Sequence, residues 1–213
     1  RAAAPLYGDH QFNMYQSKLI SKTAREAPAD EVSVNAKLLT RGGFVEKLMA
    51  GVYSYLPLGF RVLKKIEGII REEMNSIGGQ ELLLPALQPK ENWEVTGRWK
   101  DPGREVMFQF QGRGEKNYGL GWTHEEIITP LIKHFVHSYR DLPCAVYQIQ
   151  NKFRDEPRAK SGLLRGREFM MKDMYSFHAS AADFEHFYTV VQKSYNNIFL
   201  RLGLNAVMTQ ASG

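Results

Sequence analysis

Arginines, a glutamate and a phenylalanine are concentrated between residues 153 and 169 of this 213-residue chain. A run typical of a strand ends in Arg154 and Glu156, and a second such run carries Arg165 and Phe169. Guanidinium groups bind phosphate oxygens, an aromatic ring can stack on a nucleobase, and a carboxylate can accept a hydrogen bond from an exocyclic amine. Two antiparallel strands joined by a loop would therefore bring together the groups that suit a nucleoside triphosphate.

The alternation of side chains supports a hairpin here. Successive side chains of a strand point to opposite faces, so Arg154 and Glu156 share one face of the first strand. Arg165, Phe169 and Asp173 share one face of the second strand in the same way. The alternative is an ordinary amphipathic hairpin with a solvated charged face, which alternation alone would favour. An aromatic ring among charged residues on one face is harder to explain by solvation.

A second polar group, Thr123-His124-Glu125-Glu126, stands at the start of an expected helix. One interpretation is a capping box, in which Thr123 caps the helix and Glu126 reaches back to the Thr123 amide. This interpretation leaves Glu125 unexplained. The other interpretation gives Glu125 a ligand-binding role, and both can hold together because a helix start can face a ligand.

Hydrophobic periodicity and turn residues predict an α+β domain with an antiparallel sheet flanked by helices. The clearest helix spans 59–77, where apolar residues recur every three or four positions, and Gly78-Gly79 ends it. A strand over 80–84 follows and stops at Pro85. The other expected elements, in chain order, are a helix over 33–50 interrupted at 42–43, an extended segment over 51–57, a short helix over 91–99, strands over 106–111 and 116–121, a helix over 123–139 kinked at Pro130, a helix from Ser180 to Gly203 and a strand over 205–210.

Composition restricts the kinds of protein that this chain can be. With 43% hydrophobic residues it can bury the core of one domain, and a net charge of +5 weakly favours an anionic partner. The single cysteine, Cys144, excludes an internal disulfide and a multi-cysteine zinc site. His134 and His137 have a spacing that suits a metal ion, but no third ligand is near, which predicts surface histidines and no metal site.

Domain limits and compartment follow from simple patterns. Residues 1–13 have the character of a leader or a disordered arm before Met14, which leaves 14–213 as the folded domain. No apolar run approaches the ~20 residues that span a bilayer, and no signal-peptide pattern is visible. We therefore expect a cytoplasmic protein without membrane contact.

The stretch from 153 to 169 resembles motif 2 of the class II aminoacyl-tRNA synthetases. The likeness consists of Phe-Arg-Asp-Glu at 153–156, a basic loop, Gly-Leu-Leu-Arg at 162–165 and Arg-Glu-Phe at 167–169. The resemblance implies a class II catalytic domain over 14–213.

Two further stretches extend the resemblance. Leu-Pro-Leu-Gly at 56–59, through the long helix to Pro85, resembles motif 1, and Gly-Trp-Thr-His-Glu-Glu at 121–126 resembles the amino-acid-binding loop of bacterial-type prolyl-tRNA synthetases. Residues 17–213 are similar to the N-terminal part of that family. Trp122 departs from the pattern, because the family usually has proline there. The sequence stops at Gly213, before any motif 3 and before an anticodon-binding domain, so we expect a sheet that is incomplete at the C-terminus.

For the ATP site, the resemblance implies roles for four residues. Arg154 would contact the α-phosphate and the carboxylate of proline, and Glu156 would lie near the adenine amine. Arg165 would lie on the γ-phosphate side, and Phe169 would stack on adenine. The triphosphate implies Mg²⁺, with protein ligands expected outside this chain.

For the other substrates, the resemblance assigns Thr123 and Glu125 to proline, with Glu125 holding the charged imino nitrogen. In the hairpin loop, Arg158 and Lys160 would contact the triphosphate tail or the acceptor end of tRNA(Pro), and a solvated loop is the alternative. Gly162 would let this loop close over a substrate. The helix and strand leading to Pro85 would build a homodimer interface.

The implied activity is that of a proline–tRNA ligase. ATP and proline would form prolyl-adenylate and pyrophosphate, and the prolyl group would then move to the 3′ end of tRNA(Pro). One alternative is a synthetase for threonine or serine, although no Cys/His set that could bind zinc supports the threonine enzyme. The other is a non-catalytic paralogue or fragment that binds ATP or tRNA. We expect the isolated chain to bind ATP weakly and to form no measurable adenylate.

Overall fold

The computed structural model describes residues 15–29, 31–159 and 161–209 of the chain. The expected arm over 1–13 therefore lies outside the described residues. In chain order the helices and strands are α1 (Val34–Arg41), β1 (Val45–Met49), β2 (Val52–Tyr55), α2 (Pro57–Ser76), β3 (Gln80–Glu81), β4 (Leu87–Pro89), α3 (Lys90–Glu94), α4 (Gly103–Val106), β5 (Gln109–Gln111), β6 (Asn117–Leu120), α5 (Glu125–Lys133), β7 (Cys144–Phe153), β8 (Glu168–Phe177) and α6 (Ala181–Arg201). Single 3-10 turns lie at Gln16–Lys18, Arg113–Glu115, Tyr139–Asp141 and Gly162–Leu164.

The long hairpin of β7 and β8 is the centre of the fold. The two strands pair antiparallel from Cys144 opposite Phe177 to Phe153 opposite Glu168, and the short β3 pairs parallel with β7. A second antiparallel sheet has the order β4-β6-β5, and β1 and β2 form a separate hairpin. The prediction of an α+β domain with antiparallel pairing is confirmed.

Helices cover both faces of the β7–β8 hairpin. Tyr147 on one face packs with Met74 of α2 and Ile198 of α6. Its neighbour Val146 points to the other face and packs with Ile128 of α5. Because side chains alternate along a strand, the even-numbered residues of β7 lie on the face that α5 covers. That face carries the polar residues of the candidate site.

The helix α2 begins and ends close to the predicted limits. Pro57 stands at its first turn, where the missing N–H costs nothing, and Gly78 follows the last turn with a φ of +83°. The predicted strand over 80–84 is shorter than expected, since only Gln80 and Glu81 pair with β7.

Several predicted elements are wrong in extent or type. The helix over 33–50 ends at Arg41, because Gly43, with a φ of +71°, reverses the chain and Val45–Met49 becomes a strand. The helix expected over 91–99 covers only Lys90–Glu94, and the strand expected over 106–111 begins at Gln109 because α4 occupies 103–106.

Two elements near the C-terminal half also differ. The helix expected over 123–139 covers only Glu125–Lys133, and a turn at Tyr139–Asp141 follows, capped by the side chain of Ser138. Residues 205–209 have no regular secondary structure, although their alternation predicts a strand, since no neighbouring strand pairs with them among the described residues. None of the helices described is long and apolar enough to cross a membrane.

Candidate active site

The end of the β7–β8 hairpin brings Arg154 and Phe169 together. The register sets Lys152 opposite Phe169, and the Arg154 amide donates to the carbonyl oxygen of Arg167 at 2.9 Å. The Arg154 guanidinium carbon consequently lies 5.4 Å from the centre of the Phe169 ring. The Nε atom of Arg154 is buried and has no hydrogen-bond partner among the described residues. A cation with an unused donor beside an aromatic ring suits an anionic ligand that has a flat part.

Glu156 and Arg165 bind each other. The Nε and Nη2 atoms of Arg165 lie 2.8 Å and 2.6 Å from Oε2 of Glu156. Arg167 has a different function, because its Nε donates to the Glu156 carbonyl oxygen and its Nη1 to the Ala50 carbonyl oxygen. Of the clustered arginines, Arg167 therefore fixes the hairpin to the turn between β1 and β2.

The loop between β7 and β8 is partly docked. Asn35 of α1 donates to the Ser161 carbonyl oxygen at 2.8 Å. Gly162 has a φ of +60°, and a Cβ there would collide with the Asn35 side chain. This glycine is therefore required for packing against α1, in addition to any freedom that it gives the loop. Arg158 is exposed, and Lys160 lies outside the described residues.

Of the two interpretations of the residues before α5, the capping box is wrong. The residue at the cap position is His124, without a side-chain cap, and Thr123 Oγ1 instead donates to the carboxylate of Glu125 at 2.6–2.7 Å. Glu126 does not reach back either. Its side chain is fully buried and accepts from Arg98 Nη1 at 2.9 Å and from Thr96 Oγ1 at 3.0 Å. The displaced cap leaves Glu125 as the half-exposed carboxylate of this loop.

Backbone hydrogen bonds join this loop to the hairpin. The Gly121 carbonyl oxygen accepts from the Phe153 amide at 3.2 Å, and the Gly121 amide donates to the Ala86 carbonyl oxygen at 2.8 Å. A Cβ at Gly121 would meet the Gln88 side chain at 2.5 Å, so glycine permits the close approach. A cleft of about 1370 Å³ opens along β8 and α6, and its lining includes Thr123 and Glu125.

A buried polar network lies beneath the loop. Lys152 Nζ is 2.9 Å from Asp173 Oδ1, and Asp173 Oδ2 accepts from the Tyr175 hydroxyl at 2.9 Å. The Tyr175 oxygen in turn accepts from the His124 amide at 3.1 Å. The alternation of residues places Lys152 and Asp173 on the site face but gives neither a role. The sequence does show that Lys152 lies on the same face of its strand as Val146, which is a core residue. That position was the available indication that Lys152 is buried.

His124 connects the network to Pro85. A carbonyl oxygen can only accept, so Nε2 of His124 carries the proton and donates to the Pro85 carbonyl oxygen at 3.1 Å. Burial, with the nearby Lys152 cation as the second cause, lowers the pKa of His124 to about 4. The imidazole is therefore neutral near pH 7. The Pro85 ring itself is exposed.

The described residues contain no group of three or more His, Cys, Asp and Glu side chains that could hold a metal ion.

Comparison with known proteins shows which families the chain resembles. Residues 108–212 match the model of the tRNA synthetase class II core domain (G, H, P, S and T). Proline–tRNA ligases of Thermotoga neapolitana and Moorella thermoacetica are 50% and 52% identical over 198 residues, which is 93% of this chain and 34% of each relative. The chain thus spans about a third of the length of the curated relatives that it matches.

Solved structures of prolyl-tRNA synthetases also resemble this chain. Giardia lamblia prolyl-tRNA synthetase in complex with prolyl-adenylate matches with a TM-score of 0.68 and 25% identity, over 73% of this chain and 33% of that one. The Cryptosporidium parvum enzyme with halofuginone and AMPPNP has a TM-score of 0.67 at 17% identity, over 76% of this chain and 33% of that one, which supports the fold alone. Residues 108–212 are thus similar to the class II tRNA synthetase core family, and the chain as a whole is similar to the N-terminal catalytic part of proline–tRNA ligases.

Proposed function

We propose that this chain is the part of a proline–tRNA ligase that binds ATP and proline and forms prolyl-adenylate. The observation that carries the proposal is the Arg154 guanidinium over the Phe169 ring, with an unused buried Nε. The Thr123–Glu125 loop is joined to the same end of the hairpin through Gly121. A cationic group and an anionic group are thus adjacent, as an anionic nucleotide and the charged imino nitrogen of proline require.

The proposed ATP site consists of four residues at the end of the hairpin, Arg154, Glu156, Arg165 and Phe169. Phe169 stacks on adenine, and Glu156 accepts a hydrogen bond from the adenine amine through Oε1, since Oε2 is engaged by Arg165. Arg165, whose side chain is 61% exposed, turns toward the γ-phosphate when ATP binds. Arg158 in the loop contacts the triphosphate tail or the acceptor end of tRNA(Pro), and Lys160 is assigned the same role from sequence alone.

The proline half consists of Glu125 and Thr123. The side chain of Glu125 is 48% exposed at the cleft, and its carboxylate accepts a hydrogen bond from the charged imino nitrogen of proline. Thr123 Oγ1 donates to that carboxylate and fixes its orientation. Arg154 binds the carboxylate of proline from the other side, so that it holds the two reacting groups together.

The chemistry needs no nucleophile from the protein. A carboxylate oxygen of proline attacks the α-phosphorus of ATP, the bond from that phosphorus to the bridging oxygen breaks, and pyrophosphate leaves. Catalysis is then positioning of two anions plus stabilisation of the charge on the α-phosphate, both supplied by Arg154. Arg154 acts through its charge and its hydrogen bonds only.

The prolyl group is then transferred to the 3′ end of tRNA(Pro). We further propose a homodimer, with the segment leading to Pro85 at its interface, acting in the cytoplasm. Mg²⁺ would accompany ATP, but the described residues offer no metal-binding cluster, so no step is assigned to an ion held by this chain.

The test is ATP–pyrophosphate exchange by the complete natural protein with each amino acid in turn. We expect exchange with proline and none above background with threonine or serine. Glu125→Gln should raise the KM for proline and leave the KM for ATP unchanged, because only proline presents a cation to this carboxylate. Exchange that depends on another amino acid, or a fold-intact protein with no exchange at all, would contradict the proposal.

A further inference from the structure

Arg98 and two neighbouring carboxylates form an ion cluster at the edge of the cleft. A single nitrogen of Arg98, Nη1, lies 2.9 Å from Oε1 of Glu126 and 3.2 Å from Oε2 of Glu125. The Glu126 side chain is fully buried, whereas that of Glu125 is about half exposed. Arg98 therefore connects a buried carboxylate to the carboxylate that faces the cleft.

The charges of this cluster do not balance. One guanidinium faces two carboxylates, which leaves one net negative charge, and the buried Glu126 also has an oxygen, Oε2, without a hydrogen-bond partner among the described residues. A buried carboxylate that lost its only cation would be strongly destabilising. Arg98 is consequently held by Glu126, and the remaining negative charge lies on the exposed Glu125, where one ammonium group would neutralise it.

Two tryptophans fix the plane of the guanidinium. The Arg98 guanidinium carbon lies 4.5 Å from the Trp122 ring centre and 5.5 Å from that of Trp93. The two indole rings stack on each other with centres 5.7 Å apart and an interplanar angle of 25°, and Trp93 is fully buried. Trp122 is the residue at which the loop departs from the proline expected there. A proline could not offer the extended aromatic face that contacts Arg98.

We infer that Arg98, held by Trp122 and Glu126, is a positioning residue for amino-acid recognition that acts through Glu125. This inference rests on the proposed binding of the proline imino group by Glu125. Arg98 orients the Glu125 carboxylate and leaves the cluster with one unbalanced negative charge, so that the site selects a ligand with a single ammonium group.

The main experiment is a double-mutant cycle in proline-dependent pyrophosphate exchange by the complete natural protein. Arg98→Gln should raise the KM for proline about tenfold, in line with the loss of a charge-assisted hydrogen bond, and change the KM for ATP less than about twofold. The same substitution made in a Glu125→Gln background should change the KM for proline less than about twofold, because the group through which Arg98 acts is gone. Arg113→Gln, at an exposed turn, is the matched control.

Ring variants separate the role of Trp122 from that of charge. Trp122→Phe keeps an aromatic face for Arg98 and should keep the KM for proline within about twofold, whereas Trp122→Leu should raise it about threefold or more. If Arg98→Gln fails to fold, Arg98→Gln combined with Glu126→Gln removes the buried carboxylate charge together with the cation that pairs with it, and should give a folded protein with the same raised KM for proline.

The outcomes distinguish the inference from the function on which it rests. Absence of proline-dependent exchange in the unaltered protein would overturn both. With active unaltered protein, a KM for proline that is unchanged or lowered in Arg98→Gln would overturn only the role of Arg98. Additive effects of Arg98→Gln and Glu125→Gln would do the same, since they would mean that Arg98 does not act through Glu125.

Discussion

The Nζ atom of Lys152 lies 2.9 Å from Oδ1 of Asp173, and the Lys152 side chain is completely buried. Burial lowers the pKa of Lys152, and the hydrogen bond to Asp173 partly opposes this shift. Asp173 also accepts from the Tyr175 hydroxyl, which in turn accepts from the His124 amide. The charge pair therefore supports the loop that carries Thr123 and Glu125; Asp173 also lines the cleft, whereas Lys152 does not.

Removal of the lysine should destabilise the protein strongly. Lys152→Met leaves Asp173 as an uncompensated buried charge, which we expect to lower the free energy of unfolding by about 3–5 kcal/mol. Urea unfolding followed by tryptophan fluorescence measures the change. Lys133→Met, at an exposed position of α5, is the control and should stay within about 0.5 kcal/mol of the unaltered protein.

A second substitution tests the cause of this loss. Asp173→Asn removes the carboxylate charge that Lys152→Met leaves unpaired. The double variant Lys152→Met/Asp173→Asn should therefore recover part of the stability that Lys152→Met loses. A double variant less stable than Lys152→Met alone would mean that Asp173 stabilises the fold by some means other than its pairing with Lys152.

Arg154→Ala should abolish adenylate formation without unfolding the protein. Charge-assisted hydrogen bonds contribute roughly 1.5–3 kcal/mol each, and Arg154 is proposed to make more than one, so exchange should fall at least about 100-fold. The Arg154 side chain contacts the Phe169 ring, and its buried Nε has no hydrogen-bond partner among the described residues. The substitution therefore breaks no hydrogen bond of the Nε atom, and we expect no large loss of stability. Arg113→Ala is the matched control. Near-normal exchange by a folded Arg154→Ala protein would remove Arg154 from the reaction.

The pairing of the central hairpin was predictable, and the reason is local. Alternation with a period of two assigns Arg154 and Phe169 each to one face of its strand, and the observed register brings the two side chains together. The helix from 59 to 77 was equally predictable, because its apolar spacing and the glycines after it agree. Both elements are specified by residues adjacent in sequence.

The burial of Lys152 and the position of Arg98 could not be predicted in this way. Alternation gives the face of Lys152 but not the helix α5 that covers this face, so a charged side chain looked solvated. Arg98 meets Glu125 across 27 positions of the chain, in a segment without periodic pattern. Such contacts depend on the packing of separate elements, which a single sequence does not reveal.

Thr123 should affect ligand binding more than stability, since it is not a helix cap. Thr123→Val removes only the hydroxyl that donates to Glu125, so we expect a raised KM for proline and a change in the free energy of unfolding below about 0.5 kcal/mol. Ser180→Ala is the matched comparison. The Ser180 hydroxyl does cap α6 by accepting from the Asp183 amide at 3.2 Å, and its loss should cost about 1 kcal/mol. A larger stability loss for Thr123→Val than for Ser180→Ala would restore the capping interpretation.

The stability of the protein should fall in acid partly because of His124. Its pKa is about 4 in the folded protein, lowered from 6.5, so between these values the unfolded chain binds a proton that the folded protein does not. Stability from this group is therefore fully present above pH 6.5 and is lost as the pH falls toward 4, by an amount on the order of 3 kcal/mol. His124→Gln keeps a donor for the Pro85 carbonyl oxygen but cannot titrate. Urea unfolding across this pH range should give a shallower loss for His124→Gln than for the unaltered protein, and equal slopes would show that protonation of His124 does not oppose folding.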